Sequence, residues 1–238
     1  MMDGVWTVTL AMAIPLSAPA AKLARSRPTA SVLGPQTVAS CVGVLLINFL
    51  FMVGALAYLW SQDWFTCRTW GGNDVSNTVV IGDNYETQTL FLVGGYQYVF
   101  VAFAFNFGYE FRQAWYRNYV LVGLFSTFSI IMFFILFVPS DLSCVWRVNC
   151  VNERVQLSVT DTKIPIQNPW NTTEMPDHFK RGIFAMMVTN AALVMAYEYF
   201  VVNGIRRHFA DKKRLEAQAI EAESPGTGKT PSEDVSLT

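Results

Sequence analysis

The sequence predicts an all-α membrane protein, a polytopic bundle of five helices that each cross a lipid bilayer. Two observations support this class. Apolar residues make up 52% of the 238-residue chain and charged residues only 15%, and both values depart from soluble averages in the direction of membrane proteins. The apolar residues are also concentrated into runs of about 20, the length at which a helix crosses the hydrocarbon core. Lipid offers the backbone no hydrogen-bond partners, so a continuous helix suits such runs.

The predicted spans are residues 1–20, 37–60, 88–107, 118–138 and 182–203. The first run is short and is broken by Pro15 and Pro19. Its end, Ala18-Pro19-Ala20, leaves open a second interpretation as a secretory signal peptide with a small-residue cleavage site. Against that, the run is preceded by Asp3, and its basic residues follow the apolar stretch instead of preceding it.

The charge distribution predicts how the spans are oriented. The loops 21–36 and 108–117, together with the tail 204–238, carry 11 of the 17 Lys and Arg residues, and the loops 61–87 and 139–181 carry the other 6. The positive-inside rule therefore places the first set, including the C-terminus, in the cytosol. The tail is expected to begin as a short basic helix that suits an anionic leaflet, and then to be disordered.

Features of the long loop 139–181 fit a non-cytosolic side. Asn171 opens an Asn-Thr-Thr triplet, an acceptor for N-glycosylation. Cys144 and Cys150 lie in the same loop, and Cys67 falls on the same side in 61–87. A disulfide Cys144–Cys150, or one from Cys67 to either, is possible, and the sequence does not choose between them.

Polar side chains inside the spans are the candidate functional residues, because ionisable groups at bilayer depth are costly and face protein or water. Glu198, in the last span, is such a group, although its place near the cytosolic end also fits a structural role. Single amides in spans usually bond a neighbouring helix, and four are present: Asn48, Gln97, Asn106 and Asn190. The stretch Tyr96-Gln97-Tyr98 suits either helix packing or attraction of a cation to aromatic faces.

Catalytic and metal-binding motifs of soluble enzymes are not found in the sequence, so no catalytic residue and no metal ligand is predicted. A net charge of −1 gives no reason to expect a nucleic-acid partner.

A set of short motifs, in order along the chain, resembles the C-terminal membrane region of type-V P-type ATPases, in particular the B subgroup that includes lysosomal polyamine exporters. The motifs are RPTASVLGP at 27–35, NYE at 84–86, YQY at 96–98, GYEFRQAWYRN at 108–118 and the acid Glu198 in the final span. The resemblance covers nearly the whole chain. Each motif is weak alone, and their order and spacing carry the comparison.

The resemblance implies a fold, a function and candidate sites. The five spans would be the sixth to tenth of a ten-span pump in an endolysosomal or vacuolar membrane. Asp3 would match a transport-site aspartate of the sixth span that binds a cation or polyamine, and Tyr96 and Gln97 are further substrate-binding candidates. The family's phosphorylation loop, actuator motif and nucleotide domain are absent from this sequence. ATP and Mg²⁺ are therefore expected to act in the remaining domains of a parent ATPase and not in this chain.

We accordingly expect a fragment of a larger pump that begins inside the sixth span and by itself hydrolyses no ATP. The alternative is a stand-alone polytopic protein, a channel or an accessory subunit, without ATP coupling. A third possibility is a four-span junction or adhesion protein with a cleaved signal peptide, but Cys67 has no second cysteine in its own loop.

Overall fold

The computed structural model describes residues 2–20, 34–65, 85–106, 113–140, 143, 148–149 and 174–223. Within these residues the regular structure is helical and there is no strand, which confirms the predicted all-α class for this part of the chain. Asn171, Cys67, Cys144, Cys150 and most of the basic loop 21–36 lie outside the described residues, so the predictions made for them remain predictions.

Helix α1 spans Met2–Ala13 and continues into a 3-10 turn at Ile14–Leu16. The change follows from Pro15, which has no backbone N–H to donate and favours the end of an α-helix. Helix α2 spans Pro35–Trp60, with Gly34 before it in an extended conformation and Pro35 at its first position. Proline suits this position because its fixed φ is that of a helix and its missing donor has no helical partner there.

Helix α3 spans Tyr85–Ala104, and a 3-10 turn at Trp115–Arg117 precedes helix α4, Tyr119–Phe137. Asn118 caps α4, because its side-chain oxygen accepts a hydrogen bond from the backbone N–H of Leu121 at 3.1 Å.

Helix α5 spans Asp177–Ala196, a π-helical turn follows at Tyr197–Val202, and helix α6 spans Asn203–Glu223. These three segments follow one another without a break. Helix α5 begins before the predicted span 182–203, since Pro176 precedes it and Asp177 adds a favourable negative charge to its first turn. The tail is helical as far as Glu223, farther than the predicted short basic helix, and Lys212 and Glu216 form an i,i+4 pair there at 4.0 Å.

Among the described residues, three helical segments are long and apolar enough to cross a membrane: Pro35–Trp60, Tyr119–Phe137 and Asp177–Phe209. The apolar segment Gly4–Leu16 is shorter. Helix α3 is 20 residues long, but Gln88, Gln97 and its tyrosines make it less apolar. A helical membrane protein is therefore supported, and the count of five spans stays a prediction.

Helix α3, which is not among the three candidate spans, occupies the centre of the bundle. Helix α3 packs against α1, α2, α4 and α5. Its side chains Leu92, Val93 and Val99 are buried in the core. Helix α2, by contrast, exposes large apolar side chains such as Leu45, Phe49 and Leu50. A helix enclosed by other helices meets protein on most of its surface, so it can carry amides and phenols that lipid would disfavour.

Close helix contacts occur where a glycine lies opposite an aromatic ring. Trp6, 2% exposed, packs on α3 at Gly95, where an added Cβ would lie 2.9 Å from the indole. A Cβ at Gly43 of α2 would overlap the ring of Tyr197, and a Cβ at Gly182 of α5 would overlap the ring of Tyr58. Near each end of the α2–α5 pair, a tyrosine ring therefore packs on a glycine of the facing segment: Tyr58 of α2 on Gly182 of α5, and Tyr197 of the π turn on Gly43 of α2.

Candidate functional site

A chain of amides joins the three central helices. Gln97 of α3 donates from Nε2 to the backbone oxygen of Asn48 on α2 at 3.0 Å, and Asn190 of α5 donates from Nδ2 to Asn48 Oδ1 at 3.0 Å. Gln97 and Asn190 are both buried. Three of the four amides singled out from the sequence therefore meet at one point inside the bundle, where they bond one another across helices.

A second polar cluster joins the end of α1 to the end of α3 and the start of α4. Asn118 donates from Nδ2 to the backbone oxygen of Ala13 at 2.8 Å and to Ser17 Oγ at 3.2 Å. Ser17 donates in turn to Asn106 Oδ1 at 3.1 Å. These bonds satisfy the broken end of α1, where the proline interrupts the helical ladder.

Glu198 lies in the π turn and is half-buried. The hydroxyl of Ser40 on α2 donates a hydrogen bond to its Oε1 atom. Next to it, Tyr197 donates from its hydroxyl to the backbone oxygen of Ala39 at 2.8 Å. The π turn is thus fastened to the first turns of α2 by two side-chain hydrogen bonds.

A cavity of about 620 Å³ opens beside this carboxylate. It is bounded by the start of α2, the end of α3 and the π turn. Its polar lining residues are Gln36, Thr37, Ser40, Glu198 and Asn203, and its larger apolar ones are Phe105, Met195, Tyr199, Phe200 and Val202. The cavity is therefore mainly apolar and contains one negative charge.

The opposite end of the α2–α5 pair holds a buried cation. Lys180 is 1% exposed, and its Nζ atom lies 3.5 Å from Asp177 Oδ1 and 3.6 Å from Glu174 Oε1. Aromatic rings close this end, with Tyr58 stacked on Phe179 at 5.3 Å. The ion pairs of Lys180 compensate its buried charge locally.

The stretch Tyr96-Gln97-Tyr98 does not form one surface. Successive residues of a helix point about 100° apart, so Gln97 is buried against α2 while Tyr98 is exposed. The ring of Tyr96 lies 4.4 Å from that of Phe100. The structure thus places the two tyrosines on different sides of α3.

Asp3 lies in the first turn of α1, and its side chain is outside the described part of the structure. The opposite end of α1 approaches Asn118, and Trp6, one turn after Asp3, packs at the middle of α3. Glu198 lies near the start of α2. The two candidate acids therefore belong to different regions of the bundle.

Several residues of these clusters have no distinguishing signal in the sequence. Ser40 and Glu198 are 158 positions apart, and a single serine in an apolar run does not identify its partner. Lys180 could have been found, because Asp177 three residues before it is the spacing of a helical ion pair. Among the described residues, no group of three or more His, Cys, Asp or Glu could hold a metal ion.

Comparison with known proteins gives partial matches to one group of transporters. No protein-family profile matches the chain. It is 27% identical over 150 residues to the polyamine-transporting ATPase 13A3 of Homo sapiens, with 55% of this chain and 12% of that protein covered. It is 26% identical over 144 residues to the polyamine-transporting ATPase 13A2 of Mus musculus, with 59% and 12% covered. It is 28% identical over 166 residues to the probable cation-transporting ATPase 13A5 of Homo sapiens, with 59% and 13% covered.

The matched region is thus a small part of each relative and little more than half of this chain. Within that range, the similarities support a relationship of this helical chain to the 13A family of polyamine- and cation-transporting ATPases.

Proposed function

We propose that this chain is part of the membrane domain of a P-type ATPase that moves polyamines or other cations across an endolysosomal or vacuolar membrane. The observation that carries the proposal is the similarity to three transporters of this kind. The helical bundle with polar groups between its helices fits a membrane domain. On this proposal the chain corresponds to the sixth to tenth spans of a B-subgroup pump, and α1 is the first of the five.

On this proposal, some helices face the lipid and support the bundle, and others lie beside the transported substrate. Helices α2, α4 and α5 provide lipid-facing apolar surface, and α3 is enclosed by them and by α1. The excess of Lys and Arg in 21–36, 108–117 and the tail supports a cytosolic C-terminus. ATP and Mg²⁺ would act on the remaining domains of the parent protein, and this chain would receive the conformational change through its helices.

Asp3 is the proposed substrate-binding carboxylate. A carboxylate within the membrane attracts a dehydrated cation much more strongly than it would in water, because the local dielectric constant is low. Helix α1 is held on α3 and α4 by Trp6, whose ring lies 6.3 Å from that of Phe91 and 5.3 Å from that of Phe128. Tyr96 and Gln97, which point to different sides of α3, are further candidates for contact with the substrate.

The test begins with the protein as its source makes it, purified through a tag placed after Thr238. The proposal expects a species much larger than the 26.7 kDa of this chain, with ATP hydrolysis stimulated by spermidine. Asp3→Asn should abolish that stimulation at normal protein levels. Glu198→Gln is the matched acid-to-amide control, and it should affect abundance more than turnover.

Two results would contradict the proposal. A 26.7 kDa species that conducts ions without ATP would identify a stand-alone channel instead. Spermidine stimulation that survives Asp3→Asn but is lost in Glu198→Gln would mean that the roles of the two acids are reversed.

A further inference from the structure

The cavity beside Glu198 has a chemistry that the proposed transport path does not use. We propose that it binds an ammonium group carried on an aliphatic chain, at a site separate from Asp3. The inference goes beyond the proposed function, because such a site needs only the described bundle and no ATP turnover.

The first step concerns the carboxylate. A carboxylate has two oxygens that together accept about four hydrogen bonds. Ser40 donates to Oε1, and Glu198 lines the cavity with part of its surface exposed to it. An ammonium group has three donors and a positive charge, so it would use the remaining acceptor sites in charge-assisted hydrogen bonds.

The second step concerns the rest of the wall. Its polar lining residues other than Glu198 are neutral, and the described lining contains no Lys, Arg or His. A negatively charged group would therefore meet a carboxylate without a compensating cation. Tyr199 and Phe200 add aromatic rings, which attract cations when these lie over their faces. Met195, Phe105 and Val202 offer an apolar surface to an aliphatic chain.

The third step concerns depth. Helix α2 begins at Pro35, and the charged helix α6 begins at Asn203. The cavity includes residues from the first turns of α2 and the last residues before α6. It therefore lies where apolar helix surface gives way to polar sequence, the level of lipid headgroups. Both the ammonium of an aminophospholipid and that of a soluble amine could reach it.

The π turn is an independent indication. A π turn carries an extra residue relative to an α-helix and occurs frequently at functional sites. Here it spans Tyr197–Val202 and contains Glu198. The interruption falls at the residues that form the cavity wall and not in the tightly packed middle of α5.

The experiment measures lipid binding to the purified full chain by native mass spectrometry in detergent. Three lipids with identical acyl chains are compared: phosphatidylethanolamine, phosphatidylcholine and phosphatidylglycerol. Phosphatidylethanolamine carries a primary ammonium with N–H donors, phosphatidylcholine carries a quaternary ammonium that has the charge and no N–H donor, and phosphatidylglycerol has the phosphodiester with neither. Competition by n-butylamine distinguishes a soluble amine from a lipid headgroup as the source.

We expect phosphatidylethanolamine to bind about tenfold more tightly than phosphatidylglycerol, the effect of one charge-assisted hydrogen bond, and phosphatidylcholine, which has the charge without the donor, to lie between them. Glu198→Gln, which keeps the shape and removes the charge, should abolish this preference. Ser40→Ala is the matched control, because it removes the hydroxyl and leaves the charge, and it should keep the preference. Competition by n-butylamine at micromolar concentration would identify a soluble amine as the ligand. Its failure, with the lipid preference intact, would identify the headgroup.

A chain that binds the three lipids equally and does not bind n-butylamine would overturn the proposal. So would an equal loss in Glu198→Gln and Ser40→Ala, since that pattern belongs to a purely structural hydrogen bond. If Glu198→Gln does not fold, Ala196→Leu provides the test, because it places a larger side chain in the cavity wall beside Glu198 and keeps the carboxylate. Retained ammonium preference in Ala196→Leu would contradict binding in this cavity. Loss of ATP-coupled transport in Asp3→Asn has no bearing on these outcomes.

Discussion

The two ends of the α2–α5 pair use the same contact and surround it differently. At one end Tyr58 of α2 lies on Gly182 of α5, and at the other Tyr197 lies on Gly43 of α2. At the first end the buried Lys180 pairs with two acids whose side chains are 87% and 40% exposed, and Tyr58 stacks on Phe179 nearby. The second end holds Glu198 with a hydroxyl partner beside an open cavity.

The difference separates a charge that is already compensated from one that still has capacity to bind. The Lys180 ammonium has one counter-ion in the first turn of α5, Asp177, and another just before the helix, Glu174, so its charge is compensated locally. Glu198 accepts a hydrogen bond from the neutral hydroxyl of Ser40. The described residues that line the cavity include no Lys, Arg or His that could compensate its charge. A charged group in a membrane protein is therefore informative about function only when its partners are known as well.

The largest expected loss of stability comes from removing the counter-ions of Lys180, at the end that we call the closed end. The double change Glu174→Gln with Asp177→Asn leaves the Lys180 ammonium buried without its counter-ions, and we expect it to lower the free energy of unfolding by about 3 kcal/mol. Lys180→Met, the matched control, removes the charge along with the need for partners and should cost much less. Denaturant titration of tryptophan fluorescence in detergent measures both. Equal losses would show that the ion pairs do not explain the burial.

Substitutions at the two glycine contacts are expected to cost less stability. Gly182→Ala should destabilise by about 1–3 kcal/mol, because the new methyl group overlaps Tyr58, which is held on Phe179. Gly43→Ala should cost less, since Tyr197 lies in the chain between Ala196 and Glu198, two residues that line the cavity. Gly54→Ala, with nothing within 4 Å of an added Cβ, is the control and should leave thermal stability unchanged or raised. A larger loss at Gly43 than at Gly182 would reverse the assignment of open and closed ends.

The amide chain midway between these ends should contribute less again. In a double-mutant cycle of Asn48→Ala and Asn190→Ala, we expect a coupling energy of about 0.6 kcal/mol, typical of interhelical hydrogen bonds in membranes. Thermal denaturation of the four proteins in detergent gives this value. A coupling near zero would show that the 3.0 Å contact does not add to stability.

An effect of similarly small size is expected at the open end. Ser40→Ala should lower the free energy of unfolding by about 0.5–1 kcal/mol, the net contribution of one hydrogen bond. Ser129→Ala is the control, because the buried Ser129 hydroxyl has no hydrogen-bond partner among the described residues. A loss at Ser40 as large as that at the Lys180 site would mean that both ends are equally closed.

The sequence was sufficient to predict the helices, because long apolar runs bounded by prolines and polar residues have few other structures open to them. The start of α2 at Pro35 and the interruption of α1 at Pro15 follow from proline chemistry alone. The central position of α3 did not follow. Its amides and phenols reduce its apolar character, and only packing shows that other helices enclose it.

The candidate site was predicted less completely. Single amides were expected to bond neighbouring helices. Asn48 accepts hydrogen bonds from both Gln97 and Asn190, and this arrangement depends on how three helices align. Glu198 was recognisable as an acid in an apolar run. Its hydrogen bond to Ser40 and the contact of Tyr197 with Gly43 join residues that are far apart in the chain, as does the cavity wall. The helical periodicity of the sequence does not show which distant residues meet.

The continuity of α5, the π turn and α6 has a mechanical consequence. Residues 177–223 form one helical rod about 70 Å long, more than twice the thickness of the hydrocarbon core. The extra residue of the π turn offsets the angular phase of everything after it by about 100°. If that turn relaxed into regular α-helix, α6 would rotate by roughly a quarter of a circle and shift by only about 1.5 Å along its axis. The π turn therefore determines how the charged helix α6 is rotated relative to the membrane bundle.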